Sequence, residues 1–372
     1  MEWLPPQYFY YFYLVITSLL CFYQINVLIT SDDKLALVKE SKYNIIVPLL
    51  LAIGLIYFFG NRPATTSFGD TYYYIHSYNN KEGLMTPSLD KEWLWNNLNV
   101  LCRDNGWSVA SFFTTVAFFY VGPILFICWK TMRNNILIAF LFCIISFSFY
   151  GYGINGIRNG MACSILLVAI CFFKEERIWE ILLGCVFIAI AYFIHRSTLA
   201  PALCMIVSRF FIKKPQLAIF IWFFSILISL IFGNFIGNFI EATGIYDEKM
   251  DYFLDVENSA ISSQFSSTGF RWDFLLYSSM PVLMTWYITI KRNFNDSTFN
   301  LLANTYILAN AFWIMVIRAS YSNRFAYLSW FIYPIIIAYP LLRMNIWDDQ
   351  DRKTGIILAA YTAFTILMFI KG

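Results

Sequence analysis

The chain has 372 residues, of which 59% are hydrophobic, 20% aromatic and only 13% charged, and a soluble domain of this size has too little interior to hide that much apolar surface from water. A net charge of +3, scattered along the chain, leaves no footprint for nucleic acid. The eight cysteines form no C-x-x-C pair and lie mostly inside apolar runs, which argues against a zinc site or a disulfide framework and reads them as small apolar side chains.

A helix needs about 20 apolar residues to cross the hydrocarbon core of a membrane. By that ruler the sequence predicts twelve spans in chain order, near 8-30, 44-60, 107-129, 135-151, 156-173, 178-194, 197-212, 216-240, 271-290, 299-317, 323-342 and 354-370. The first lacks a basic n-region and a small-residue cleavage site, so it reads as a retained span rather than a signal peptide. The pair 178-194 and 197-212 is separated so tightly that it reads as a broken or re-entrant unit. The expected fold is therefore an all-α, polytopic membrane protein forming one transmembrane domain over 1-372, with no internal repeat.

Alternate loops carry KLALVKESK, KTMR, KEER, RFFIKK, KR and RMNIWDDQDRK. Loops rich in Lys and Arg mark the cytoplasmic side, which puts both termini outside. Two long external segments remain, 61-106 and 241-270, rich in Tyr, Trp, Asn, Ser, Asp and Glu. Loops of that length are uncommon unless they have work to do. Against the orientation rule, Arg158, Arg196, Arg271, Arg318 and Arg324 sit at external helix ends or turns. A planar guanidinium fork suits a bidentate anion site better than a lysine does. Taken singly, each could instead snorkel to the headgroups or pair with a carboxylate, as Arg271 could with Asp273 and Arg318 with acidic residues of the 241-257 loop.

Three constellations carry chemistry. In GYGINGIRNGMA, a helix starting near Asn155 would put Asn155, Arg158 and Asn159 on one face and leave Gly156 and Gly160 as a notch for a neighbouring helix. Its N-terminal N–H groups favour a phosphate, which makes Arg158 an anion clamp; the bland alternative is a packing notch with a snorkelling arginine. In FIHRSTLAP, His195 ends an apolar run beside Arg196. A histidine can take a proton from an alcohol, and a neighbouring cation favours the uncharged ring; an interfacial cap is the alternative. In the first long loop, GDTYYYIHSYNN places Asp70 and Tyr74 at i, i+4, while DKEWLWNNLNVLCR reads as an amphipathic helix along the interface. Its polar stripe is Glu92, Asn96, Asn99 and Arg103, opposite Leu94, Leu98, Leu101 and Cys102. Carboxylates and amides beside flat rings suit a sugar; a solvated face over an aromatic belt is the competing reading. His76 reads as a surface residue.

There is no H-E-x-x-H, G-x-S-x-G or P-loop, and no His or Cys cluster for a metal, so neither metal nor cofactor is expected. The external loop opening D-T-x-x-Y, then NGIRNGMA, then HRS some 35 residues on, and NRFAYL opening a late span together resemble the EpsG-like branch of the Wzy-type polysaccharide polymerases, over about 68 to 342. That resemblance implies a metal-independent glycosyltransferase of the bacterial cytoplasmic membrane, GT-C-like in architecture and active on the outer face. It implies transfer of a growing glycan from undecaprenyl diphosphate to the non-reducing end of a new lipid-linked unit, with membrane lipid, a flippase and a chain-length regulator as partners. Residue by residue, it implies His195 as base and Arg158, Arg196 and Arg324 as diphosphate ligands. Arg271 joins these more loosely, as do Asp70 and Glu92 toward the sugar, and Asn159 stands where a glutamine is common. Two alternatives stay open. An O-antigen ligase would use a similar outer face on another acceptor, and a flippase or transporter would show polar or broken helices near the membrane midplane. An acyltransferase is disfavoured because no H-x-x-x-x-D is present.

Overall fold

The computed structural model describes residues 4-30, 42-63, 65, 68-80, 83-174, 176-242, 270-318 and 322-371. Most of the second long loop, 243-269, lies outside the described residues, and the reading made for it goes with it. Among the described residues there are sixteen α-helices and no strand. In chain order they are α1 (Pro6–Thr30), α2 (Tyr43–Gly60), α3 (Thr71–Asn80), α4 (Trp93–Asp104), α5 (Val109–Thr131), α6 (Ile136–Ile144), α7 (Phe147–Ile154) and α8 (Ile157–Phe173). They continue with α9 (Ile178–Ile194), α10 (Leu199–Phe210), α11 (Pro215–Ala242), α12 (Trp272–Trp286), α13 (Ser297–Met315), α14 (Ser322–Trp330), α15 (Tyr333–Arg343) and α16 (Gln350–Lys371).

Every stretch expected to span is helical, but length and apolarity together qualify six segments as membrane-crossing, or seven with one bent pair. The protein is a polytopic all-α membrane protein. Helices apolar all round belong at the centre of a bundle or against lipid. Here α8, α13 and α15 are buried on nearly every side and form the centre. By contrast α1, α2, α11 and α16 turn leucines, isoleucines and aromatics outward, Leu19, Leu50, Phe220 and Leu367 among them.

Besides the tight joint within 178-212, the chain has a break that the sequence does not announce. The residues between α9 and α10 form a short 3-10 turn, Arg196–Thr198, after an extended His195. The bent pair is Arg133–Ile144 with Phe147–Ile154, turned by 72° where Ser146 takes an extended conformation. A break inside a membrane must find internal partners for its carbonyls. Tyr13 donates to the Ile144 carbonyl and Tyr120 to that of Phe149 at 2.8 Å. Both hydroxyls lie on other helices, so no local pattern around Ser146 announces the break.

Long-range hydrogen bonds define two ends. At one, Asn44 Nδ2 donates to the Arg133 carbonyl at 3.1 Å and Asn135 Nδ2 to that of Leu342 at 3.3 Å. Tyr339 donates to Asp296 at 3.1 Å and Trp347 Nε1 to Tyr287 at 3.0 Å. This end carries Lys130, Arg133, Lys291, Arg292, Arg343 and Lys353. The opposite end gathers the 84-92 segment, the start of α8 and the end of α9.

Candidate functional site

The first long loop is not a free surface. Trp95 of α4 is buried between Tyr74, ring centroids 5.7 Å apart, and Phe112, 5.6 Å apart. Trp93 packs on Phe193 of α9 at 5.3 Å. The buried side of α4 is Trp95, Asn99, Val100 and Cys102, while Leu101 faces outward. This corrects the expected stripes. Asn99 can go inside because its Nδ2 donates to the Trp95 carbonyl of its own helix at 2.7 Å, which removes the cost of burying an amide. Ahead of α4, residues 84-92 form a strap. Asn97 clasps Met85 through both backbone groups at 2.8 and 2.9 Å. Tyr192 donates to the Leu89 carbonyl at 2.8 Å and Arg196 Nη1 to that of Asp90 at 2.7 Å.

At the end of the strap stands Glu92, in the N-cap position of α4. Its Oε1 accepts His195 Nδ1 at 2.8 Å and the Arg196 backbone N–H at 3.0 Å, while Oε2 pairs with Arg158 Nη1. The side chains of Arg158, Glu92 and His195 are only 10%, 14% and 15% exposed. Burial works to raise the Glu92 carboxyl. Arg158, the His195 hydrogen bond and the Arg196 N–H outweigh it and hold the group below its ordinary value. An ionised carboxylate only accepts, so the contact requires a proton on His195 Nδ1. The group touching His195 is thus a carboxylate and not the cation expected from the sequence; the Arg196 guanidinium turns away to Asp90.

Arg158 sits in the first turn of α8, which starts at Ile157 after Gly156. Gly160 is where the notch is real, since a Cβ there would lie 2.8 Å from the Tyr152 carbonyl oxygen; at Gly156 the nearest atom is 3.7 Å away. Asn155 lies outside the helix and does not share a helical face with Arg158. Instead its side chain closes on Gly69, whose φ is +52° and whose missing Cβ would stand 2.6 Å from Asn155 Oδ1. Asp70 follows directly, so the D-T-x-x-Y loop rests on the NGIRNG turn. Asn159 Oδ1 takes the Cys163 thiol at 3.1 Å. Tyr74, expected to face a sugar, is 3% exposed with its ring packed edge-on to Trp95, which makes it part of the packing under the strap. His76 is a surface residue beside Asn80.

The remaining arginines stand on other elements than these. Arg271 binds Asp273 at 2.9 and 2.7 Å and lies 3.7 Å over Phe274, the local pairing considered from the sequence. Arg318 lies 5.8 Å from the ring of the adjoining Phe270. Arg324 opens α14, one turn before Tyr327, whose carbonyl accepts Tyr152 of α7. The other end of that helical pair is fixed by Asn135 and Leu342, so Arg324 and Arg158 lie at the same end. One arginine escaped the sequence reading. Arg62 is buried, donates to Thr71 Oγ1 at 3.0 Å and the Phe59 carbonyl at 2.8 Å, and lies 3.7 Å over Phe113. Burial draws it down to about 9, with Tyr74 and Tyr150 opposing. Its signal was a charge directly after an apolar run, FFGNR, which a topology count treats as ordinary.

Among the described residues no group of three or more His, Cys, Asp or Glu side chains is placed to hold a metal. The sequence model of the EpsG family matches residues 45-372. The chain belongs to the EpsG family. Membership ties this EpsG-family protein to polysaccharide biosynthesis in a polymerase-like, glycosyltransferase role. No curated protein and no solved structure matches it.

Proposed function

We propose that this EpsG-family protein polymerises lipid-linked oligosaccharide repeat units on the outer face of the bacterial cytoplasmic membrane. On this reading the twelve helical stretches all cross, in a GT-C-like arrangement, with the lysine- and arginine-bearing loops inside and Glu92 outside. The carrying observation is the joining of Arg158, His195 and Arg196 through Glu92 at one end of the bundle. The acceptor hydroxyl gives its proton to His195 Nε2 as its oxygen bonds to the anomeric carbon of the growing chain. The bond from that carbon to the undecaprenyl diphosphate oxygen breaks, and its electron pair leaves with the diphosphate. Preorganised cations lower such a barrier most, and Arg158 supplies the nearest, with Arg196 and Arg324 at the same end. Asp70 and Asn155 stand beside them as sugar contacts.

The break at Ser146 is the feature that would favour transport. The void beside it, lined by Ser146, Ser148, Ser164 and Tyr152 among others, measures about 20 Å³. That is room for a single water. A void of that size does not hold a sugar.

The test is the size distribution of lipid-linked and surface glycan in cells lacking the gene, with wild type, Arg158→Lys or His195→Ala restored. Single repeat units without a ladder in the knockout and both variants support the polymerase. A normal ladder retained on the lipid carrier would indicate a ligase, and absence of any extracytoplasmic glycan would indicate transport.

A further inference from the structure

We propose that Glu92 is the positioning residue of this site, setting which nitrogen of His195 faces the acceptor and tying that base to Arg158, and that it is not a sugar ligand. The reaction in which it serves rests on the polymerase reading; the geometry does not. Both carboxylate oxygens are already engaged: Oε1 by His195 Nδ1 and the Arg196 N–H, Oε2 by Arg158 Nη1. A carboxylate so occupied offers a sugar hydroxyl little. What it does offer is a choice of tautomer, because only Nδ1–H satisfies it, and in the neutral ring the lone pair is then left on Nε2. It also places the guanidinium of Arg158 and the imidazole on opposite oxygens of one carboxylate, so neither can move without the other.

The strap decides between this role and a second one, in which Glu92 merely fills an anion site until a diphosphate displaces it. Displacement needs a mobile carrier. Residues 85-92 are held on both sides, by Asn97 at Met85, Tyr192 at Leu89, Arg196 at Asp90 and the Trp93 ring on Phe193. A side chain anchored by its own backbone neighbours acts as framework. Glu92 also starts α4, so its backbone is fixed by a helix whose Trp95 is buried.

The experiment uses the full chain in nanodiscs with ¹⁵N-labelled histidine. There are two histidines, and His76→Gln assigns the spectrum. At mildly alkaline pH, wild type should show a protonated Nδ1 and a bare Nε2 for His195, and Glu92→Gln should show a mixture of tautomers. With lipid-linked glycan extracted from cells lacking the gene as substrate, Glu92→Gln should lower kcat about 100-fold while KM stays within about threefold. Glu92→Asp should restore the tautomer signal and part of kcat. An unchanged His195 spectrum with unchanged kcat in Glu92→Gln overturns the proposal, as does a fall in KM for the lipid-linked donor, which is the mark of a displaced placeholder. If wild type makes no polymer yet the tautomer depends on Glu92, the polymerase reading fails and the positioning role stands.

Discussion

Two of the buried polar clusters in this protein differ in kind. In the interior, Asn310 accepts from Trp222 Nε1 at 2.8 Å and donates to Ser329 at 3.0 Å, while Ser278 accepts from Trp330 Nε1 at 2.8 Å and, through its carbonyl, from Tyr306 at 2.9 Å. Every one of these groups is neutral, and together they lock α11, α12, α13 and α14. At the rim, the Glu92 carboxylate joins the Arg158 guanidinium, the His195 ring and the Arg196 backbone N–H, so formal charge is part of the cluster. A neutral network is what a membrane interior tolerates when the purpose is to specify packing. A charged one at the mouth is costly to assemble, which is why the proposed function is built on it.

That contrast can be broken by mutation. His195→Ala should abolish the glycan ladder while membrane abundance stays normal; disappearance of the protein from the membrane would make the rim cluster structural as well. Arg158→Lys keeps the charge but loses the fork, and activity in the same ladder assay should fall by about 10² to 10³. The interior should behave in the opposite way. Asn310→Leu leaves Trp222 Nε1 and Ser329 without their partner and should cost roughly 1-2 kcal/mol. The expected readout is lower abundance and melting temperature with activity per molecule unchanged.

A smaller effect follows from pH. The Glu92 carboxyl lies lower in the folded protein than its ordinary 4.5. Its contribution to stability is therefore complete above that ordinary value and is lost as pH falls through the depressed one. The melting-temperature difference between wild type and Glu92→Gln should shrink as pH falls below about 5. Smallest is Tyr192→Phe, which removes one strap bond worth about 1 kcal/mol and should raise proteolysis near Leu89 with the ladder retained.

Much of the fold was legible because apolar runs of span length say the same thing in any context. Arg158, His195 and Glu92 each stand out in the sequence, and the structure joins them in one cluster. Their relation was not legible, because nothing in the local pattern of DKEWLW says that Glu92 meets a histidine 103 positions away. Glu92 read as a sugar contact because its neighbours are tryptophans, and those rings turn inward to hold the strap. The stripes of α4 were misjudged for a related reason, since Asn99 satisfies its amide within its own helix. The break at Ser146 stayed hidden because its partners, Tyr13 and Tyr120, lie in distant spans.

The strap also has a history in the life of each molecule. Glu92 leaves the ribosome well before Arg158, and His195 follows later still. Until α8 and α9 have entered the membrane, Glu92 has neither Arg158 nor His195 to pair with. A half-inserted chain therefore carries that carboxylate without its partners, and the cluster closes only when the end of α9 arrives.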